Sequence, residues 1–186
     1  GQLRVNRMIR PRETGVYQLG GSPGLMQAAA DAEARGTEVG LFEGDARIVL
    51  ERQLERGEGQ RFDVLAIDAF SCDAIPIHLL TQESFQTYFR HLQPDGILAL
   101  HVTNRYVDLI PIVARLAEAV GMHAIYIENY SSDSRFVDST DWVLLTNNQA
   151  FLHTEAVHQD EEPMPTPGPL WTDDFSSIFE VVEFEN

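Results

Sequence analysis

Residues 61–70, RFDVLAIDAF, constrain the fold more than any other stretch. Val64–Ile67 is a nearly continuous apolar run that ends in a turn, the mark of a strand covered on both faces in a parallel sheet. The run stops at Asp68, and Asp73 follows five residues later in the same turn. A strand that delivers an aspartate at its carboxyl end fits an open α/β sheet, where ligands bind beyond the strand ends.

The flanking segments alternate accordingly. TEVGLFE (37–43) reads as a short strand, and Gly44-Asp45 turns into a helix with Ile48, Val49 and Leu54 on roughly one side. Thr81 caps a helix running to His91 or Leu92, which Pro94-Asp95-Gly96 breaks. GILALHVTN (96–104) is the next strand. A helix over 107–120 carries Ile110, Val113, Leu116 and Ala117 at helical spacing, with Gly121 as its C-cap. HAIYIEN (123–129) and DWVLLTN (141–147) have no helix between them and predict an antiparallel hairpin at one edge of a mostly parallel sheet. Residues 153–170 hold four prolines and three consecutive acids and read as a surface linker. The expected organisation is an N-terminal arm (1–14), one Rossmann-like domain (15–152) and a proline-rich acidic segment (153–186) packing on that domain.

Charge narrows the partners. The chain has 29 acidic and 13 basic residues, a net charge of −16, and every basic residue is arginine. Such a field repels nucleic acid and attracts a cationic small molecule, although acidity also serves plain solubility. No stretch approaches the roughly 20 apolar residues of a membrane helix, and GQLRVNRMIRPRE has no signal-peptide core, so the expectation is a soluble, cytoplasmic chain. Cys72 is the single cysteine, which excludes an internal disulfide and a cysteine metal site; histidines do not show ligand spacing, and no metal is expected.

Asp45, Asp68 and Asn104 each follow a strand, at residues 43, 67 and 103. Each alone reads as a cap for the helix or turn that follows. Together they form a constellation at the ligand edge of the sheet. His78 and His101 fall beside the same edge, as substrate contacts or as hydrogen-bonded structural histidines.

GDAR (44–47), the stretch FDVLAIDAFSCDAIPIHLLTQESF through HVTNRY to Gly121 (62–121), and WTDDFSS (171–177) resemble the spermidine synthase-like proteins, polyamine aminopropyltransferase relatives on the S-adenosylmethionine-dependent methyltransferase fold. The resemblance implies a Rossmann-like methyltransferase-type open sheet. It implies that Asp45 accepts from the adenine amino group beside the Ala46 amide, that Asp68 faces the aminopropyl donor and the attacking amine, and that Asp73 helps hold the polyamine. The donor would be decarboxylated S-adenosylmethionine, or S-adenosylmethionine itself if the chain is a methyltransferase. The resemblance also folds Trp171–Asp174 back near the crevice, where Asp174 would line the amine site; His78 and Asn104 join it as substrate contacts by their position beside the strand ends. Relatives often pair, so a homodimer is an expectation as well.

This chain departs from that pattern in two places. The turn Asp68-Ala69-Phe70-Ser71-Cys72-Asp73 is longer than the aminopropyltransferases' Asp-Ser-Ser/Thr-Asp-Pro. At the N-terminus one candidate strand (15–19), one glycine-rich turn (Gly20, Gly21, Gly24) and one helix (25–35) precede the strand leading to Gly44, where the family has two βα units. The glycines read as a plain turn or an adapted nucleotide loop, and Glu43 takes the ribose-binding role by default. A non-catalytic remnant of the fold acting as a binding module is therefore the alternative to an enzyme.

Overall fold

The computed structural model describes residues 8–9, 13–17, 34, 38–42, 44–68, 76–104, 106–129 and 140–177, with the backbone alone for the first three strands. Asp73, Gly20, Gly21, Gly24 and Glu43, Cys72 and, residue 34 apart, the helix over 25–35 lie outside the described residues.

One mixed sheet organises the chain. Its strands are β1 (Met8–Ile9), β2 (Glu13–Tyr17), β3 (Glu38–Phe42), β4 (Phe62–Ile67), β5 (Leu92–His101), β6 (His123–Asn129), β7 (Thr140–Thr146) and β8 (Glu161–Glu162), in the spatial order β3-β2-β1-β4-β5-β7-β6-β8. The pairings set β2, β3, β4, β5 and β6 in one direction and β7 in the other, with the two-residue β1 and β8 also reversed. The long strands are thus mostly parallel. The hairpin β6–β7 forms as expected, in the register Tyr126↔Val143, but β7 inserts between β5 and β6. The N-terminal arm is not apart from the sheet: Met8–Ile9 pairs with both β2 and β4.

Three helices cover one face. They are α1 (Ala46–Glu55), α2 (Gln82–His91) and α3 (Ile110–Val120), packed side by side in that order. Leu50, Phe85, Tyr88, Ile112 and Leu116 meet Leu65, Ile67, Leu98, Leu100, Val143 and Leu145 in a single core, all at or near zero exposure. Period-two alternation puts Val64, Ala66, Ile97 and Leu144 on the opposite face, where they are half-buried. The run in β4 is therefore less evenly covered than its apolar composition predicts.

Local chemistry sets the helix ends. Thr81 caps α2 in a reciprocal capping box with Ser84, and Gly121 closes α3 at φ 70°. Helix α3 begins at Ile110 instead of 107, and Pro111 gives the reason. Started at 107, the helix would place Pro111 in its interior, where the ring meets the carbonyl of Val107 and supplies no N–H. Pro94-Asp95-Gly96 does interrupt regular pairing: the register jumps from Phe62↔Leu92 to Val64↔Ile97, so these residues bulge from β5. The segment 153–170 is partly regular. After the one-turn α4 (Gln149–Leu152), helix α5 (Glu155–Asp160) buries Val157, and β8 pairs with β6. Among the described residues, no helix is long and apolar enough to cross a membrane.

Candidate functional site

The carboxyl ends of β2, β3, β4 and β5 share one edge of the sheet, as the registers Tyr17↔Phe42 and Ile67↔Leu100 require. Two groups of side chains form at that edge.

The first is built on GDAR. Gly44 has φ 144°, and a Cβ there would lie 2.9 Å from Val49 Cγ2, so this turn requires glycine. It delivers Asp45 as the N-cap of α1: Oδ1 accepts from the Ile48 amide at 3.1 Å, and Oδ2 lies 2.8 Å from His78 Nε2. Ala46 is buried beneath the turn. Next in line, Arg47 donates through Nε to Glu51 (2.6 Å) and through Nη1 to the His78 carbonyl (2.9 Å), Thr81 Oγ1 (3.2 Å) and Asp173 Oδ1 (2.6 Å); Nη2 takes the other oxygen of Asp173. Its side chain is only 12% exposed. The two-toothed contact with Asp173 raises the guanidinium's proton affinity beyond the ordinary arginine range, against the effect of burial, and holds the Asp173 carboxyl below its usual range.

This clamp folds the C-terminal segment onto the helices. Trp171 is fully buried, its carbonyl accepts from the Gln82 amide at 2.9 Å, and the Asp173 amide donates to Glu83 at 3.0 Å. A cleft of about 440 Å³ is lined by Ile48 and Glu51 of α1, by Ile77 and His78, and by Thr172, Asp173 and Ser176 of the segment. Asp174 sits exposed on the turn; its neighbour Asp173 makes the contacts.

The second group stands on the sheet face opposite the helices. Asp68 Oδ1 and His101 Nδ1 are 2.6 Å apart, brought together because each lies one residue beyond the pair Ile67↔Leu100. His101 stacks on Trp142, its register partner in β7, with ring centroids 4.9 Å apart and planes at 22°. Asn104 turns its side-chain oxygen to the Tyr106 amide at 3.0 Å, which is the local turn role expected of an asparagine after a strand.

Of the residues singled out in the sequence, Asp45, Ala46 and His78 thus share one group and Asp68 belongs to the other. The sequence reading places Asp173 only within the Trp171–Asp174 turn and assigns it no contact with Arg47, and it does not pair His101 with Asp68. Arg47 and Glu51 show the i, i+4 spacing of a helix ion pair, and consecutive parallel strands align their ends; both clues were present.

No family model and no curated protein matches the sequence. Solved structures do match. A probable spermidine synthase from Corynebacterium glutamicum shares 18% identity with a TM-score of 0.51, over 78% of this chain and 52% of that one. Human methyltransferase-like protein 13, in complex with SAH, shares 15% identity with a TM-score of 0.50, over 78% of this chain and 65% of that one. The chain therefore spans about half the length of the first and under two thirds of the second. These likenesses, together with the strand order and the three-helix layer, identify the fold as the Rossmann-like α/β architecture common to spermidine synthases and S-adenosylmethionine-dependent methyltransferases.

Proposed function

We propose that this chain binds an adenosyl sulfonium nucleotide and transfers its aminopropyl group to a polyamine or similar amine in the cytoplasm, with Asp68 receiving the amine's proton. The observation that carries this reading is the placement of Asp68 at the carboxyl end of β4, its side chain 27% exposed at the ligand edge of the sheet. In the transfer, the amine's lone pair forms the N–C bond while the C–S bond breaks with its electron pair going to sulfur. The sulfonium becomes a neutral thioether, and the new ammonium gives its proton to the carboxylate and then to solvent. An acidic edge on a chain of net charge −16 favours both cations before the reaction.

The cleft beside Asp45 suits the adenosyl part. Its volume of about 440 Å³ is in the range of small-molecule sites, Ile48 and Ile77 offer apolar walls, Glu51 and Asp173 offer acceptors for amino and hydroxyl donors, and Asp45 lies behind His78 at its rim. Under this proposal Asp73 and Asp174 serve the amine, as the family resemblance implies, His78 and Asn104 join them by their place at the strand ends, and Gly20, Gly21, Gly24 and Glu43 serve the nucleotide as the chain's own adapted turn.

One observation favours a second reading, a binding module without catalysis. The sheet position beside β4 is held by β1, a two-residue strand running antiparallel to it, where a full parallel strand would present a loop at the ligand edge. Calorimetry with methylthioadenosine, then turnover of decarboxylated S-adenosylmethionine with putrescine, separates the two. Micromolar binding lost in Asp45→Ala and turnover lost in Asp68→Asn support the transferase. Binding without turnover supports the module and refutes Asp68 as a base. If S-adenosylmethionine is consumed instead, the transferred group is methyl.

A further inference from the structure

We infer that His101 is a positioning residue for Asp68, holding its carboxylate in the one orientation from which it takes the proton of an attacking amine; this rests on the transferase reading above. An ionised carboxylate only accepts hydrogen bonds, so the 2.6 Å contact assigns the proton of the pair to His101 Nδ1. The ring is fixed from the side by Trp142, at 4.9 Å between centroids. Its other nitrogen, Nε2, is buried and has no hydrogen-bond partner among the described residues.

These three facts separate His101 from an ordinary core histidine and from a substrate ligand. The side chain is 14% exposed against 27% for Asp68, and its buried Nε2 cannot meet a ligand, so a molecule at the strand ends touches the carboxylate. A slot that needed only a flat ring on Trp142 would be better filled by phenylalanine, which buries no unsatisfied nitrogen. The imidazole carries that cost here, and its polar contact among the described residues runs to Asp68. An in-line displacement needs its base aimed within a narrow cone, and the short contact from His101 is one restraint that sets the aim of Asp68.

The test uses the full chain with His101→Phe, which keeps the stack on Trp142 and removes the donor, and His101→Asn, whose amide N–H replaces Nδ1–H. With decarboxylated S-adenosylmethionine and putrescine, His101→Phe lowers kcat about 30-fold, a share of the 10²–10⁴ supplied by a positioned base, and leaves the nucleotide KM within about twofold. His101→Asn restores most of kcat. A kcat for His101→Phe within about threefold of wild type, or a raised KM with kcat intact, overturns the inference. Nitrogen-15 spectra of histidine-labelled protein supply a readout independent of activity: wild type shows a protonated Nδ1 on His101 that Asp68→Ala abolishes. A protonated Nε2 alone, or an Nδ1 signal indifferent to Asp68→Ala, also overturns it. Wild-type protein that turns over no amine refutes the transferase reading, and the spectra then decide the pairing separately.

Discussion

Asp173→Asn isolates the charge that ties the C-terminal segment to α1. With side-chain exposures of 12% for Arg47 and 41% for Asp173, the pair lies between two regimes. A surface ion pair contributes about 0–1 kcal/mol, and breaking a buried one costs about 3–5 kcal/mol. Arg47 retains Glu51, the His78 carbonyl and Thr81 after the substitution, and water screens the Asp173 side. The expected loss is therefore about 1–2 kcal/mol at neutral pH, or about 3–6 °C in Tm for a chain of this length. A double-mutant cycle with Arg47→Leu, read by urea denaturation, gives the coupling directly. The pH dependence follows from the Asp173 carboxyl, which Arg47 holds below its ordinary 3.8. Below that value the unfolded chain binds the proton first, so the contribution is complete above pH 3.8 and is lost as pH falls through the lower folded value. A coupling under about 0.3 kcal/mol, or a gap between wild type and variant that does not close in acid, refutes the reasoning.

Three further outcomes are expected. Gly44→Ala forces a side chain onto a φ of 144° and into Val49, and lowers stability by about 1–3 kcal/mol in a thermal melt; an unchanged Tm would show that the turn relaxes freely. Trp171→Ala empties a fully buried site and costs about 3–5 kcal/mol, read as the urea midpoint. Burial holds the His91 imidazole below its ordinary 6.5, with Nε2 donating to the Leu50 carbonyl and Nδ1 accepting from the Gln60 amide. The neutral ring belongs to the fold, so its contribution is complete above pH 6.5 and is lost as pH falls from there through the lower folded value; His91→Gln flattens that part of the stability profile.

Periodicity and capping chemistry made the architecture legible in the sequence. The apolar run into Asp68, the Thr81 cap, the Gly121 stop and the helix-free step from 129 to 140 are local features, and β4, α2, α3 and the β6–β7 hairpin appear where they point. The start of α3 was also local information, carried by Pro111, whose weight depends on where in the helix it falls. The candidate site was legible only in part. Asp45 and Asp68 stand out because each follows a strand, yet the sequence does not say what holds them.

That was decided by tertiary structure, because the contacts join residues distant along the chain. His101 meets Asp68 across 33 positions only because β4 and β5 pair in parallel with Ile67 against Leu100. Asp173 reaches Arg47 across 126 positions only because Trp171 is buried in the shared core and anchors the segment. Asp174 has the same charge and lies one position further on, yet it is Asp173 that makes both contacts to Arg47. Sequence determines which residues carry a charge and where strands end. Which two of them share a hydrogen bond depends also on which strands are neighbours and on how the C-terminal segment packs, and those contacts span 33 and 126 positions.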